Sequence, residues 1–257
     1  MITSTSNAQV KALSKLIKNA RARRQQQVYI VEGIRMFRET PEDRIEKIYA
    51  SESFVKEHET LLAGKDWEML SDSVFASVSD TKTPQGVLCL VKMRENRLED
   101  MLQQKNGLWL ILENVQDPGN LGTILRTAEG AGVDGVILSK ESVDIYNPKT
   151  IRSTMGSVYR LPFLYVDSIE AILPVLKKHH VHTYAAHLKG KNSYEQENYC
   201  GGTAFFIGNE GNGLTDHLSS QADTLIRIPM EGKLESLNAA VASAILMYES
   251  YRQRRNA

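Results

Sequence analysis

Short apolar runs alternate with helical patterns in the first third of the chain. The apolar runs VYIVEG, IEKIYA, DWEML and GVLCLV, at 28–33, 45–50, 66–70 and 86–91, predict four strands. Apolar positions at helical spacing predict helices between them, at 34–39, 52–62 and 71–77. This alternation predicts a small α/β unit that ends near Val91.

A second series of apolar runs begins at Leu108. Its predicted strands are at 108–113, 135–139, 163–166, 181–186, 203–208 and 224–229. These runs are continuously apolar rather than alternating, which is typical of parallel strands that are covered on both faces. Residues 92–107 between the two series are polar and are interpreted as a partly helical linker. The pattern therefore predicts two domains, residues 1–91 and 108–257.

Helical spacing is also clear near both ends of the chain. An early helix is predicted from the recurrence of Val10, Leu13, Leu16 and Ile17. A final helix is predicted at 237–251, with Ser236 as its N-cap. Its predicted apolar stripe consists of Leu237, Ala240, Val241, Ala244, Ile245 and Tyr248.

Composition and charge exclude several classes of protein. The 31 Lys plus Arg residues balance 31 Asp plus Glu, and 42% of residues are hydrophobic, which excludes disordered, collagen-like and uniformly basic coat proteins. Cys89 and Cys200 are too far apart for a CxxC pair, so neither a disulfide framework nor a metal site is expected. No apolar run approaches the roughly 20 residues of a membrane span, so we expect a cytoplasmic protein without membrane attachment.

The basic residues near the N-terminus are not balanced by acids. Residues 1–28 contain no Asp or Glu but carry Lys11, Lys15, Lys18, Arg21, Arg23 and Arg24. Such an asymmetry is typical of contact with nucleic-acid phosphates. A solvated helix face opposite the apolar stripe explains it equally simply, and composition alone slightly favours that explanation.

The stretch ENVQDPGNLGTILRTAEGAGVDGVIL, at 113–138, follows a predicted strand and differs from an ordinary connector. Its Pro and Gly residues predict a tight loop that leads directly into a helix, with Asn120 at the start and Arg126 inside. An arginine among apolar residues is either part of a buried ion pair or a catalytic group that faces an anion. The buried ion pair is favoured when this stretch is considered alone.

Two further stretches also follow predicted strands. In FFIGNEGNGLT, at 205–215, the glycines allow backbone N–H groups to approach a ligand closely, and a turn does not require the carboxylate of Glu210. The glycine order differs from the dinucleotide fingerprint, which disfavours a nicotinamide-dependent enzyme. In IRIPMEGKLESLNAAVASAILMYE, at 226–249, Pro229 ends a strand and Ser236 and Asn238 stand at the start of the last helix.

Together and in this order, the three stretches closely resemble the motifs of the SpoU class of the SPOUT superfamily, which methylates RNA ribose 2'-hydroxyls. NAQVKALSKL, YIVEGIRMF and TPQGVLCLV in the first part resemble the substrate-binding extension of that family. The resemblance implies an α/β protein with a knotted parallel-sheet catalytic domain, the SPOUT α/β trefoil knot. It also implies a preceding small α/β domain with a ribosomal-protein-like (L30e-like) fold.

The resemblance further implies S-adenosyl-L-methionine as the cofactor and assigns roles to individual residues. Arg126 is expected to stabilise charge on the ribose oxygen, with Asn120 and Glu210 orienting it and Ser236 and Asn238 placing the ribose. The residues expected to bind the cofactor are Ala185, Gly208, Asn209, Gly213, Ile228, Met230, Leu237 and Asn238.

The expected partners are RNA and a second copy of the chain, which would form a homodimer through the catalytic domain. The six basic residues near the N-terminus are the candidates for RNA contact, and ribosomal RNA is favoured over transfer RNA as the substrate. Three alternatives remain at this point: a transfer RNA 2'-O-methyltransferase, a base methyltransferase, and a non-catalytic ribosome-associated RNA-binding protein.

Overall fold

A computed structural model describes residues 1–234 and 236–256; Glu235, in the third motif, and Ala257 lie outside the described residues. The chain divides into two compact units. Unit 1 consists of Met1–Glu95 and Asp144–Tyr159, and unit 2 of Asn96–Val143 and Arg160–Ala257. The assignment of 144–159 to unit 1 differs from the division predicted from the sequence.

The helices and strands follow one another in this order: α1 (Ala8–Lys18), α2 (Ala20–Gln26), β1 (Val28–Glu32), α3 (Ile34–Glu39), β2 (Ile45–Ser51), α4 (Glu52–Leu62), β3 (Trp67–Leu70), α5 (Asp72–Val78), β4 (Val87–Lys92), α6 (Leu98–Met101), β5 (Leu108–Leu112), α7 (Pro118–Gly130), β6 (Gly135–Ser139), α8 (Pro148–Thr154), α9 (Ser157–Arg160), β7 (Phe163–Val166), α10 (Leu173–Lys178), β8 (His182–Ala186), β9 (Asn192–Ser193), β10 (Thr203–Ile207), α11 (Asp216–Ser219), β11 (Thr224–Arg227) and α12 (Ala239–Arg255).

The described part of unit 1 contains a four-stranded sheet in the order β1-β4-β2-β3. β4 is antiparallel to both of its neighbours, and β2 and β3 are parallel. The apolar stripe predicted for the first helix is confirmed, because Val10, Leu13 and Leu16 of α1 are buried in the core of this unit. The side chain of Asn7 caps α1 by accepting a hydrogen bond from Gln9 N at 2.8 Å.

Buried polar contacts hold 144–159 within unit 1. Asp144 accepts hydrogen bonds from the Arg23 guanidinium at 2.5 and 3.0 Å. At the other end of the segment, the hydroxyls of Thr40 and Tyr159 lie 2.9 Å apart and both residues are buried. These partners are more than 100 residues apart in sequence, so a pattern of local hydrophobicity could not predict their pairing.

The described part of unit 2 contains a seven-stranded sheet in the order β7-β6-β5-β10-β8-β11-β9. All its paired strands are parallel, which confirms the interpretation of the continuously apolar runs. Trp109, Ile111 and Phe206 are buried in its core. Because β5, β10, β8 and β11 are neighbours, the loops that follow them meet at the carboxyl edge of the sheet, where open parallel sheets bind ligands.

Part of the predicted linker belongs to unit 2. Met101 and Leu102 are buried in the core of unit 2, and Trp109 Nε1 donates a 3.1 Å hydrogen bond to Met101 O. The apolar side chains of Met101 and Leu102 anchor this otherwise polar stretch to unit 2, and Leu98 packs against the same core. No helix within the described chain has both the length and the apolar character needed to cross a membrane.

The last helix differs from its prediction in its start and in its buried face. Asn238, not Ser236, is the N-cap of α12, and its side chain accepts a 2.9 Å hydrogen bond from Ala240 N. Val241 and Tyr248, assigned to the buried stripe, are each 48% exposed. Ala240 of the predicted stripe is buried. The buried side chains of α12 are mostly small, which allows close packing: Ala239, Ala240, Ser243, Leu246, Met247 and Ser250. Apolar residues on both faces made the buried face ambiguous in the sequence.

Candidate active site

A cavity of about 350 Å³ lies at the carboxyl edge of the sheet of unit 2. This volume is within the range of small-molecule sites. The loops after β8, β10 and β11 and the start of α12 enclose it. Its wall includes the whole segment 208–214, which we call the glycine loop, and also Ala186, His187, Leu188, Ile207, Arg227, Ile228, Met230, Ser236, Leu237, Ala239 and Ala242.

Backbone hydrogen bonds fold the glycine loop back on itself. Asn209 N donates to Gly213 O at 3.0 Å, and Gly213 N donates to Asn209 O at 2.9 Å. A Cβ atom on Gly208 would lie 2.1 Å from Gly213 C, and Gly213 has a φ of +68°, so both positions require glycine. The Asn209 side chain donates to Asn114 O at 2.8 Å, which ties the loop to the end of β5.

A polar depression adjoins the cavity and contains residues from all three motifs. Glu210 accepts hydrogen bonds of 3.0 Å from Gln116 N, Asp117 N and Asn120 Nδ2. Asn238 Nδ2 donates to Asn120 Oδ1, also at 3.0 Å. Glu210, Asn120 and Asn238 thus form a continuous hydrogen-bonded chain, which we call the motif chain. These three residues were predicted from the sequence for one site, and the structure brings them together.

Hydrogen bonding stabilises the ionised form of Glu210. Burial acts to raise the pKa of this carboxyl, but hydrogen bonds from the side chain of Asn120 and the backbone of Gln116 and Asp117 outweigh it. The pKa of Glu210 is therefore lowered from its ordinary value of 4.5, and the group stays ionised at neutral pH. The motif chain consequently begins at a fixed negative charge.

Arg126 lies apart from the motif chain. Its side chain is exposed and makes no hydrogen bond or ion pair with residues 1–234 or 236–256, so among these residues it has no buried ion-pair partner. Asn120 and Glu210 bond each other, and in the described part of a single chain no hydrogen bond joins either of them to Arg126, so the orientation of Arg126 by these two residues stays a prediction. Arg126 follows Asn120 by six residues on α7, which turns it about 120° around the helix, and it does not line the cavity.

The face of α7 that carries Arg126 continues onto exposed apolar residues of α12. Gly130 is four residues after Arg126 and therefore lies on the same face. A Cβ on Gly130 would lie 3.4 Å from the hydroxyl oxygen of Tyr248, which is half-exposed on α12. An exposed guanidinium and an exposed aromatic side chain thus share one surface of unit 2.

Most of the residues predicted to bind a cofactor surround the cavity. Gly208, Asn209, Gly213, Ile228, Met230 and Leu237 line its wall, and Asn238 lines the polar depression. Ala185 does not, because alternation along β8 directs its side chain into the core, where it is fully buried. Ser236, predicted to place the ribose, also lines the cavity.

Several residues at or beside the cavity were not predicted from the sequence, and three of them have titratable side chains. His187 and Arg227 line it, and Glu113 contacts the residue that follows the glycine loop. Arg227 directly precedes the apolar wall residue Ile228, and Glu113 directly follows β5 at the start of the first motif, so position in or beside a motif was the available signal. No cluster of three or more His, Cys, Asp or Glu side chains that could hold a metal occurs in the described parts of the chain.

Five of the six basic residues proposed for RNA contact are exposed on α1 and α2: Lys11, Lys15, Lys18, Arg21 and Arg24. Arg23 is the exception, and its prediction needs correction. Arg23 is 3% exposed, and its guanidinium donates to Leu16 O, Ile17 O and the Asp144 carboxylate. Its charge is therefore used inside unit 1 and is not available to a phosphate.

Comparison with known proteins identifies the family. The model of the SpoU rRNA Methylase family matches residues 107–248, more than half of the chain, and that of the MRM3-like substrate binding domain matches 7–89. The 23S rRNA (guanosine(2553)-2'-O)-methyltransferase RlmP of Bacillus subtilis is 34% identical over 256 residues, covering 96% of this chain and 97% of that protein. The chain belongs to the SpoU rRNA methylase family.

Solved structures agree with this assignment. The structure of an AdoMet-bound rRNA methyltransferase from Sinorhizobium meliloti superimposes with a TM-score of 0.86 at 29% identity, covering 98% of this chain and 97% of that chain. A TrmH/SpoU tRNA modifying enzyme from A. aeolicus superimposes with a TM-score of 0.53 at 28% identity, covering 62% of this chain and 82% of that chain.

Proposed function

We propose that this protein transfers a methyl group from S-adenosyl-L-methionine to a ribose 2'-hydroxyl of ribosomal RNA. The observation that carries the proposal is the motif chain beside the cavity, because it joins residues from all three family motifs at one edge of the sheet. The family match and the rRNA methyltransferases that align over nearly the whole chain support the same reaction.

The cavity suits this cofactor chemically. Ile228, Met230 and Leu237 provide apolar wall for an adenine ring, and the glycine loop exposes backbone groups that can bind its polar edges. Glu210 lies in the wall shared by the cavity and the depression, and its negative charge favours a cationic ligand. We assign the cofactor to this cavity.

The reaction requires stabilisation of charge on the attacking oxygen. When bound, S-adenosyl-L-methionine supplies an electrophilic methyl group on a sulfonium; the ribose oxygen gains the methyl and loses its proton, and the sulfur becomes a thioether. An arginine guanidinium does not give up its proton readily and is therefore a poor base, so we assign Arg126 electrostatic stabilisation of the oxygen. Ser236 and Asn238 position the ribose, and the proton passes to water.

We further propose that the protein is a homodimer in which Arg126 serves the cavity of the partner subunit. Arg126 does not line the cavity of its own chain, yet it shares a surface with Tyr248, and Val241 is exposed on the same helix as Tyr248. Exposed apolar side chains beside an exposed cation fit an interface between two copies. The dimer and the trefoil knot of the catalytic unit are both properties that the family resemblance implies.

We propose ribosomal RNA as the substrate and the cytoplasm as the location. RlmP and the Sinorhizobium meliloti enzyme, which align over 96% and 98% of this chain, are named for rRNA, whereas the A. aeolicus tRNA modifying enzyme is matched over 62%. The model of the MRM3-like substrate binding domain matches residues 7–89, which lie in unit 1. We therefore assign RNA binding to unit 1, through Lys11, Lys15, Lys18, Arg21 and Arg24.

The reaction is tested with purified protein, radiolabelled S-adenosyl-L-methionine and RNA from cells that lack the gene. The wild type should label the RNA, and digestion should release a 2'-O-methylated nucleoside. Arg126→Ala should abolish labelling while cofactor affinity, measured by calorimetry, stays within about twofold, because we assign Arg126 to the ribose oxygen and not to the cofactor. A product methylated on the base, or wild-type turnover by Arg126→Ala, would refute the assignment.

The substrate is tested by mapping ribose methylation across total RNA with and without the gene. A single methylation lost from large-subunit ribosomal RNA is the expected result. A site lost from transfer RNA would instead identify the alternative substrate. A chain that binds RNA but gives no heat with S-adenosyl-L-methionine would be the non-catalytic RNA-binding protein.

A further inference from the structure

Glu113 is a buried carboxylate that the proposed reaction does not use. It follows β5 directly and is 8% exposed. Its carboxylate accepts a 2.8 Å hydrogen bond from Thr215 N and a 2.7 Å hydrogen bond from Thr215 Oγ1. A buried carboxylate is costly unless its oxygens are hydrogen-bonded, so this geometry accounts for how the group is tolerated at the end of a core strand.

The partners of Glu113 lie at both ends of the glycine loop. Ile207 is the last residue before the loop, and its carbonyl oxygen accepts a 2.8 Å hydrogen bond from Glu113 N. Thr215 is the first residue after the loop and is bound by the Glu113 side chain. One residue at the end of β5 therefore holds the beginning and the end of the seven-residue segment 208–214, every member of which lines the cavity.

Thr215 transmits this restraint into the next helix. It is the N-cap of α11, and its hydroxyl oxygen accepts a 3.1 Å hydrogen bond from Leu218 N while its hydroxyl hydrogen is donated to Glu113. The hydroxyl is thus oriented by two partners at once. Without the Glu113 side chain, the hydroxyl of Thr215 would be held only by its hydrogen bond from Leu218 N in α11.

A loop that contains three glycines has more conformational freedom to lose on ligand binding than most loops of its length. Ordering such a loop at the moment of binding lowers affinity, whereas a loop already held in place does not incur this loss. Glu113 does not line the cavity, so its influence on a ligand must act through the loop.

We propose that Glu113 is a positioning residue that holds the glycine loop in its cofactor-binding conformation. The proposal rests on the assignment of the cavity to S-adenosyl-L-methionine. The proposed role of Glu113 differs from that of the residues of the motif chain. In this proposal Glu113 affects cofactor affinity through the glycine loop and contacts neither the RNA nor the transferred methyl group.

The same chain provides a matched control at the opposite edge of the sheet. Asp223 Oδ2 accepts hydrogen bonds from Thr183 N at 2.8 Å and from Thr183 Oγ1 at 2.7 Å, so its donors are of the same two kinds as those that Thr215 offers to Glu113. Neither Asp223 nor Thr183 lines the cavity. Removing either carboxylate should therefore destabilise the protein, whereas only Glu113 should affect the cofactor.

The experiment compares Glu113→Ala with Asp223→Ala by calorimetric titration with S-adenosyl-L-methionine and by thermal unfolding. Glu113→Ala should raise the Kd by about tenfold, the range expected for a hydrogen bond to a charged group. Asp223→Ala should leave the Kd within about twofold of wild type. In turnover assays, Glu113→Ala should raise KM for the cofactor and leave kcat at saturation nearly unchanged.

A second pair of variants with smaller changes tests the same proposal if Glu113→Ala does not fold. Thr215→Val removes one hydrogen bond to Glu113, and Thr183→Val removes its counterpart at Asp223. Thr215→Val should raise the Kd severalfold, and Thr183→Val should not. Variants of Glu113 and Thr215 that bind the cofactor as tightly as their controls would overturn the proposal while leaving the assigned reaction intact. A wild-type protein that does not bind S-adenosyl-L-methionine would overturn both.

Discussion

Asn238 Nδ2 donates a 3.0 Å hydrogen bond to Asn120 Oδ1, and the oxygen of the same Asn238 amide caps α12. One side chain therefore joins the start of the last helix to the first turn of α7, which contains Asn120. Asn120 Nδ2 donates to Glu210, so the Asn120 amide presents its oxygen to position 238 and needs a donor there. Capping α12 needs an acceptor at the same position, and an amide side chain provides both.

Asn238→Asp and Asn238→Ala should separate the two roles of this amide. Aspartate can still cap α12 but cannot donate to Asn120 Oδ1, whereas alanine does neither. We expect Asn238→Ala to lose about 1 kcal/mol of stability and Asn238→Asp to lose less. Both variants should lower the methyl-transfer rate by at least about tenfold. Urea unfolding and single-turnover labelling measure these quantities, and wild-type turnover by Asn238→Asp would contradict the role of its donor.

The assignment of Arg126 to the partner's cavity predicts complementation between two inactive variants. Arg126→Ala lacks the cation, and Leu237→Arg fills the cavity with a charged side chain. A heterodimer purified through two different tags contains one complete site, so it should recover about half of the wild-type specific activity. If Arg126 acts within its own chain, neither cavity of the heterodimer is complete and no activity returns.

The lowered pKa of Glu210 predicts a specific dependence of stability on pH. Because the folded-state pKa lies below the ordinary value of 4.5, Glu210 contributes stability at pH values above 4.5, and this contribution is lost as the pH falls through the folded-state pKa. Glu210→Gln should reduce the unfolding free energy at neutral pH by about 1 kcal/mol or less, since the side chain is exposed. The difference should shrink below pH 4.5. Urea unfolding at several pH values tests this, and a difference that grows on acidification would contradict it.

Exposed lysines of α1 should increase RNA affinity by neutralising phosphates. Replacing Lys11, Lys15 and Lys18 by alanine should weaken binding and make the salt slope shallower by about 0.9 for each phosphate that is no longer neutralised. The matched control replaces three lysines of the same unit whose charge is already paired with an acid: Lys47, Lys56 and Lys65. Filter binding across salt concentrations measures both sets. Equal effects would favour the interpretation of α1 as an ordinary solvated helix face.

Arg23 should matter for stability rather than for RNA. Arg23→Met leaves the Asp144 carboxylate without its cation in a largely buried position, which typically costs about 3–5 kcal/mol. The exposed neighbour Arg24 provides the control, and Arg24→Met should change the unfolding free energy by less than about 0.5 kcal/mol. Urea unfolding of the two variants tests this directly. Equal stability would show that Arg23 is not a structural residue.

Much of the fold follows from local sequence properties. Continuously apolar runs predicted the strands of the parallel sheet, since a strand covered on both faces has no polar alternation. The spacing of Val10, Leu13 and Leu16 predicted the buried face of α1, because a single apolar stripe on a helix has one way to be buried. The same reasoning failed for α12, where both faces carry apolar side chains and the small ones pack inward.

From the sequence alone it could be predicted that Asn120, Glu210 and Asn238 belong to one site, because they stand in three recognisable motifs that each follow a strand. How these three side chains are connected became clear from the folded chain, since hydrogen bonds between residues 90 and 118 positions apart depend on the order of strands in the sheet. The tertiary structure also decided that Arg126 stands apart and that Arg23 is buried. Local pattern fixes the periodicity of each element, but the partner of a polar side chain depends on which elements the fold brings together.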